Sequence, residues 1–154
     1  MNRLIGLQSL MLEEIEKHVK LVPQRDEPAE WERVHIASCA AIGHILAEKR
    51  GADAELAACA CAVHDYGRIV TGKQADHAQA GYEPVKELLK RDGRFTDEEI
   101  EIIAIAVKNH SKKSEIGSPI EEIVKDADVL DMYQHGYELP REEQKKRLET
   151  MLSE

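Results

Sequence analysis

Apolar residues recur three or four positions apart along most of the chain, which is the spacing of one helix face. In the first such run, residues 3–21, the spaced positions are Leu4, Leu7, Leu10, Met11 and Ile15. No segment alternates apolar and polar residues in the way that is typical of a half-buried strand. The pattern therefore predicts an all-α fold.

Turn and capping residues divide the remainder of the chain into shorter predicted helices. Gly51 is placed to end the second helix, and Asp53 is placed to cap the third. Capping boxes open two later helices, at Thr96 with Glu99 and at Ser118 with Glu121. A loop is predicted between Gly67 and Gln74. The predicted helices after the first span residues 29–50, 53–65, 75–90, 96–109, 118–133 and 141–152.

Length and composition indicate one globular domain, over residues 1–154, with an aliphatic core. The 154 residues are 42% hydrophobic but include only one Trp and one Phe. Residues 31–133 carry the motifs described below, and the charged segment 141–152 is expected to form a peripheral C-terminal helix. The formal charge of −9 argues against binding to a nucleic acid polymer. An anionic substrate would need a local positive site.

The sequence favours a cytoplasmic protein that has no membrane partner. No apolar run approaches the roughly 18 residues of a membrane span, and the acidic N-terminal segment does not resemble a signal peptide. An odd number of cysteines, Cys39, Cys59 and Cys61, lies in apolar surroundings. They are interpreted as reduced thiols that serve as small buried side chains.

The stretch CAVHDYGRIVTG, residues 61–72, places His64 and Asp65 at the end of an apolar, alanine-rich helix. Burial of an unpaired charge costs a great deal of free energy. The pair is therefore satisfied by neighbouring groups, or a positive ion lies between its members.

Three motifs in order along the chain resemble the HD-domain superfamily of metal-dependent phosphohydrolases. They are WERVHIASCA around His35, AVHDYGR around His64 and Asp65, and VKDADVLD around Asp128. The resemblance implies a helical bundle in which these four residues ligate a divalent metal ion. The ion could be Mn²⁺, Fe²⁺, Co²⁺, Ni²⁺, Zn²⁺ or Mg²⁺, although two imidazoles disfavour Mg²⁺ as the tightest binder.

Three acids crowd the last of these motifs. Helical periodicity alone selects Asp131 as the buried one, whereas Asp126 and Asp128 flank the apolar stripe. The family pattern instead assigns ligation to Asp128. Asp131 then becomes a candidate for orienting a ligand.

Two further histidines, His77 and His110, match positions at which family members with longer ligand sets bind a second metal. Those members often have a His-His pair where this chain has His110-Ser111. One metal is therefore favoured, and His77 and His110 are expected to contact substrate phosphate or to donate a proton. Arg68 is either a phosphate-binding residue or a solvated loop residue.

The other histidines and the lysines near these motifs are given no role in the chemistry. His18, His44 and His135 are interpreted as incidental. The basic residues of the predicted loops are interpreted as solvated surface; they are Lys73, Lys112 and Lys113.

The resemblance implies hydrolysis of a nucleotide or another small phosphate monoester or diester. A metal-activated water would attack phosphorus, Asp65 would ligate the metal and accept a proton, and Arg68, His77 or His110 would assist. Two other functions remain open: a non-catalytic metal- or nucleotide-binding regulatory module, and a purely structural bundle. The expected partner is a small phosphorylated substrate, and a homodimer formed through the first helix remains an alternative.

Overall fold

The computed structural model describes residues 2–154, and Met1, the first residue of the predicted domain, lies outside them. Eight α-helices and no β-strand occur along these residues, which confirms the all-α prediction. The helices are α1 (Asn2–Leu21), α2 (Ala29–Arg50), α3 (Ala54–Val63), α4 (Tyr66–Thr71), α5 (His77–Asp92), α6 (Asp97–Asn109), α7 (Pro119–Gln134) and α8 (Glu142–Leu152).

The alanine-rich helix α3 lies at the centre of the bundle, where it packs against α1, α2, α6 and α7. Every residue of α3 from Leu56 to Val63 is buried. Small side chains permit close approach here: a Cβ atom at Gly43 of α2 would lie 2.4 Å from Sγ of Cys61. The three cysteines are buried and free, which confirms their interpretation as small core residues. The C-terminal end of α3, with His64, is thereby held deep in the molecule.

The predicted caps are present at the helix ends. Asp53 accepts a hydrogen bond from the backbone N–H of Leu56, and Gly51 follows α2 with a φ of 70°. The capping boxes at the starts of α6 and α7 both form. These contacts satisfy backbone groups that the helices leave unpaired at their ends, so local sequence determines where these helices begin and end.

The predicted loop from Gly67 to Gln74 is wrong over most of its length, because Tyr66–Thr71 form α4. Gly67 serves close packing, since a Cβ atom there would lie 2.0 Å from the carbonyl oxygen of His77 and 2.6 Å from the backbone nitrogen of Gly81. Helices α4 and α5 therefore cross with their backbones nearly in contact. This crossing brings the first turn of α5 beside Asp65.

The C-terminal helix α8 packs against α7 alone among the principal helix contacts in residues 2–154. Arg147 of α8 donates hydrogen bonds to the carbonyl oxygens of Lys113 and Glu115, in the loop between α6 and α7. Within residues 2–154, every helix is too short or too polar to cross a membrane.

Candidate metal centre

Five parts of the chain supply six polar side chains to one cluster, and all of them except His64 line a cleft with a volume of about 460 Å³. His35 comes from the middle of α2, the pair His64-Asp65 from the junction of α3 and α4, and Asp128 from α7. His77 begins α5, and His110 follows α6. All six side chains are buried.

The four ligands expected from the sequence converge. Nε2 of His35 lies 3.1 Å from Nε2 of His64 and 3.2 Å from Oδ1 of Asp128. Oδ2 of Asp65 lies 3.2 Å from Nε2 of His64. The four candidate ligand atoms all lie within 4.8 Å of one another, so they could hold one metal ion.

A second cluster shares Asp65 with the first. Oδ1 of Asp65 lies 3.1 Å from Nε2 of His77 and 3.3 Å from Nε2 of His110. The two imidazole Nε2 atoms are 3.0 Å apart. These three residues form another group that could hold a metal ion, with Asp65 between the two groups. His77 and His110 thus line the cleft beside Asp65, close enough to its carboxylate for one metal ion to be held by all three residues.

All four histidines have Nδ1 committed to an acceptor. His35 donates to Oδ2 of Asp131 at 2.6 Å. The other three donate to backbone carbonyl oxygens three residues earlier, on Cys61, Gln74 and Val107. A neutral ring that donates from Nδ1 carries a lone pair on Nε2. Each close Nε2 pair therefore brings two lone pairs together, and a cation between them relieves the repulsion.

In the protein alone, a proton can supply that cation at the first cluster. Burial lowers the pKa of His35, but hydrogen bonds to Asp128, Asp131 and Asp65 outweigh burial and raise the pKa well above its ordinary value. Burial also lowers the pKa of His64, but the charges of Asp65 and Asp128 and a hydrogen bond to Asp128 act together to raise it well above its ordinary value. A divalent ion fits the same position, since two imidazoles and two carboxylates form a mixed nitrogen and oxygen donor set.

Comparison with known proteins agrees with this geometry. The sequence model of the HD domain family matches residues 34–133 of this chain. The chain belongs to the HD-domain family. The crystal structure of a predicted HD superfamily hydrolase from an uncultured Thermotogales bacterium is similar, with a TM-score of 0.60 and 21% identity over 94% of this chain and 87% of that chain. That likeness shows a shared fold. No match was found among curated proteins.

The carboxylate of Asp131 lies behind the candidate ligands of this HD domain, as the sequence suggested. It is fully buried and accepts hydrogen bonds from His35 and, at 2.8 Å, from the hydroxyl of Ser38. An acceptor of this kind holds a metal-ligating imidazole in one orientation. Both acids, Asp128 and Asp131, therefore face His35, one at each nitrogen of its ring.

Arg68 is buried in α4, where its guanidinium lies between the carboxylates of Asp65 and Glu32. Glu32 was not predicted from the sequence as a site residue. The guanidinium donates to Oε1 of Glu32 at 2.6 Å, to Oδ2 of Asp65 at 2.7 Å and to Oε1 of Gln74 at 2.9 Å. The side chain of Arg68 also lines the cleft. Glu32 lies three residues before His35 on α2, and this helical spacing is the one sequence signal that could have identified it.

The HD domain also buries Lys113, and the interpretation of this lysine as solvated surface is wrong. The residue is 3% exposed, and its ammonium donates to Oδ2 of Asp128 and to the carbonyl oxygen of His110, both at 2.7 Å. Lys112 is exposed and lines the cleft, whereas Lys73 is exposed outside it. Adjacent lysines in one loop therefore have opposite surroundings.

A thiol lies on the core side of the first cluster. Sγ of Cys39 could join His35 and His64 in a third ligating group. Burial raises the pKa of the Cys39 thiol well above its ordinary value. The thiol therefore keeps its proton and is a poor ligand compared with the two carboxylates.

The histidines interpreted as incidental lie outside all of these groups. His18 contacts Glu14, and His44 contacts Glu48 one turn further along α2. His135 packs edge-on against the ring of Trp31, at 5.2 Å between centroids, and donates to the carbonyl oxygen of Asp131. His135 thus supports the wall of the cleft.

Proposed function

We propose that this HD domain is a divalent-metal-dependent hydrolase of small phosphate esters. The observation that carries the proposal is the convergence of two imidazole pairs, each with Nε2 atoms about 3 Å apart and Nδ1 already donating, on the two oxygens of Asp65. His35, His64, Asp65 and Asp128 would hold the metal. A second ion would be held by Asp65, His77 and His110.

The chemistry that such an ion supplies is polarisation of a phosphoryl oxygen and acidification of water. The protein contributes orientation. Arg68 and Lys113 hold the two carboxylates, and Asp131 and three backbone carbonyls hold the four rings. A ring of the second pair that carries no metal could donate or accept a proton at Nε2, beside Asp65.

The charge balance of the buried site also favours an anionic substrate once metal is bound. Glu32, Asp65, Asp128 and Asp131 face two buried cations, Arg68 and Lys113. With neutral imidazoles the site has two net negative charges, which one divalent ion neutralises. A second divalent ion would make the site positive and would attract a phosphate group.

The walls of the cleft suit an ester with a planar organic part. Trp31 and Tyr137 lie 4.5 Å apart between ring centroids on one side. Lys108, Lys112 and Arg141 also line the cleft and could bind phosphate oxygens. A nucleotide combines a planar base with phosphate, and a cleft of this volume accommodates a small molecule. Nucleotides are therefore the first substrates that we propose to test.

The test is a hydrolysis screen of nucleotides and other phosphate esters with Mn²⁺, Co²⁺, Zn²⁺ and Mg²⁺. Wild-type protein is expected to hydrolyse at least one ester in a chelator-sensitive way, and Asp65→Asn is expected to lose that activity and the bound metal. His44→Ala, which removes a histidine of α2 outside the clusters, is the control. An equal rate in wild type and Asp65→Asn would place the activity elsewhere.

Metal analysis separates the two remaining alternatives. A non-catalytic binding module would retain metal and bind nucleotide without turnover under every condition of the screen. A purely structural bundle would show no metal in protein purified without chelator, because its histidines and carboxylates would only form hydrogen bonds. Six buried side chains that form two groups able to hold a metal ion favour a metal-binding protein over the purely structural bundle, and turnover in the screen separates the hydrolase from the binding module.

A further inference from the structure

Lys113 contacts a proposed metal ligand on the side away from the imidazoles. Oδ1 of Asp128 faces Nε2 of His35 at 3.2 Å and Nε2 of His64 at 3.4 Å. Oδ2 of Asp128 accepts a hydrogen bond from the Lys113 ammonium at 2.7 Å. One oxygen of this carboxylate is therefore directed at the metal position, and the other is occupied by a buried cation.

The lysine is held in place by more than its own ammonium. Arg147 donates from Nε to the carbonyl oxygen of Lys113 at 2.7 Å, and Arg141 donates to the carbonyl oxygen of Ser111 at 3.0 Å. The backbone of this loop is therefore anchored by the C-terminal segment of the chain. A neutral side chain at position 113 leaves both of these backbone contacts in place and removes only the contacts of the ammonium, with Asp128 and with the carbonyl oxygen of His110.

We propose that Lys113 is a positioning residue that keeps Asp128 a one-oxygen ligand and thereby favours small transition-metal ions over Ca²⁺. The inference rests on the proposed metal site. Calcium takes six to eight oxygen ligands and commonly binds a carboxylate through both oxygens. An ammonium on Oδ2 disfavours that mode at Asp128, because its positive charge repels a cation that approaches the same oxygen, whereas a transition ion needs only Oδ1 beside the two imidazoles.

The experiment measures dissociation constants for Mn²⁺ and Ca²⁺ separately. Trp31 provides a signal, because it is the one tryptophan of the chain and its ring stacks on His35 with 4.7 Å between centroids. Calorimetry supplies the same constants independently. Lys113→Met is expected to lower the preference for Mn²⁺ over Ca²⁺ by about tenfold, because the freed Oδ2 can join the coordination of the larger ion.

Three variants make the result specific. Lys113→Arg retains a cation that can donate to Oδ2 and is expected to restore most of the preference for Mn²⁺. Lys73→Met removes the same charge from an exposed residue outside the cleft and is expected to leave the preference unchanged. Lys113→Gln, a polar neutral replacement, is measured as well, so that poor folding of the Met variant does not decide the question.

A purely structural role for Lys113 would weaken the binding of both ions equally. Suppose that the wild-type protein binds Mn²⁺ and that Lys113→Met and Lys113→Gln both keep its ratio of Ca²⁺ to Mn²⁺ dissociation constants. That result overturns the role of Lys113 and leaves the proposed metal site unaffected. Failure of wild-type protein to bind Mn²⁺ overturns the metal site and this inference together.

Discussion

At the scale of single residues, the groups that hydrogen-bond to the candidate ligands determine where the candidate ligand atoms point. Each of the four clustered histidines donates from Nδ1 to an acceptor 2.6–2.7 Å away, so each directs Nε2 toward the carboxylate of Asp65. Three of these acceptors are backbone carbonyls, which substitution cannot remove. Asp131 is the exception, and it is therefore the acceptor that mutagenesis can test.

Replacement of Asp131 by Asn should weaken metal binding without removing a ligand. An amide oxygen is a weaker acceptor than a carboxylate, so His35 should be held less firmly, and the expected loss of Mn²⁺ affinity is about 10- to 100-fold. Titration followed by Trp31 fluorescence measures it. Asp126→Asn is the matched control, because Asp126 is a buried acid of the same helix that pairs with Arg50 and Arg147. Equal affinities in the two variants would contradict this role of Asp131.

The affinity for metal should rise with pH beyond the ordinary titration range of histidine. The carboxylates raise the pKa values of His35 and His64 well above 6.5 in the metal-free protein. Both rings must be neutral to ligate, so bound protons compete with the metal, and affinity falls as pH is lowered. Burial lowers the pKa of His110 to about 4, so this ring adds no competing proton near neutrality.

The measurement is a series of Mn²⁺ dissociation constants between about pH 6 and 8.5, where each displaced proton changes affinity by up to about tenfold per pH unit. Affinity is expected to keep increasing above pH 6.5. Calorimetry in two buffers of different ionisation enthalpy should detect the released protons. A constant affinity above pH 6.5 would show that the two rings are already neutral there.

At the scale of secondary-structure elements, one close helix crossing unites the two clusters. Gly67 of α4 lies against the backbone of His77 and Gly81 in α5. Both glycines lie inside helices and neither has a positive φ. Because these glycines have no side chain, α4 and α5 can approach each other closely, and His77 can reach Asp65.

Substitution of Gly67 by Ala should destabilise the fold more than the same substitution at Gly81. The new Cβ atom would lie 2.0 Å from a backbone oxygen at position 67, but 2.9 Å from the Val107 side chain at position 81. A side chain can move aside more easily than backbone. We expect losses in the free energy of unfolding of about 3 kcal/mol and about 1 kcal/mol, respectively.

Urea denaturation of Gly67→Ala and Gly81→Ala measures the difference between their free energies of unfolding. Helix propensity favours Ala over Gly at both positions, so the two variants are a matched pair. The Gly67 variant should also lose metal at the second cluster first, because α5 is displaced from Asp65. Equal stabilities would show that the two helices can separate at little cost.

At the scale of the whole molecule, the proposed ion would connect segments that are far apart in sequence. Its ligands come from α2, the α3–α4 junction and α7, and the second cluster adds α5 and the end of α6. The folded chain alone brings these segments together. Metal binding should therefore stabilise the entire fold through linkage.

Mn²⁺ at about 100 times its dissociation constant should stabilise the protein by about 2.7 kcal/mol. For a chain of this size that corresponds to an increase in Tm of about 5–10 °C. Thermal unfolding with Mn²⁺ and with chelator measures the increase. Asp65→Asn should abolish it, whereas His44→Ala should retain it. A similar increase in Asp65→Asn would indicate that the ion binds somewhere else.

The sequence by itself was enough to predict every helix except α4, the caps described above and four candidate metal ligands. Apolar spacing reports which face of a helix is buried, and capping residues act on backbone groups within the same turn, so both are local signals. The chain order of His35, His64-Asp65 and Asp128 added a family pattern, and the structure brings these residues together.

Only the tertiary structure decided what each polar residue contacts. Lys113 is buried and Lys112 is exposed, although the two are adjacent. The reason is that Asp128, which lies 15 positions after Lys113 in the chain, pairs with Lys113. In the sequence, Gly67 suggests the end of a helix, whereas in the structure it allows α4 to pack closely against α5. Pairing partners and close approaches depend on the packing of distant segments, which no local pattern encodes.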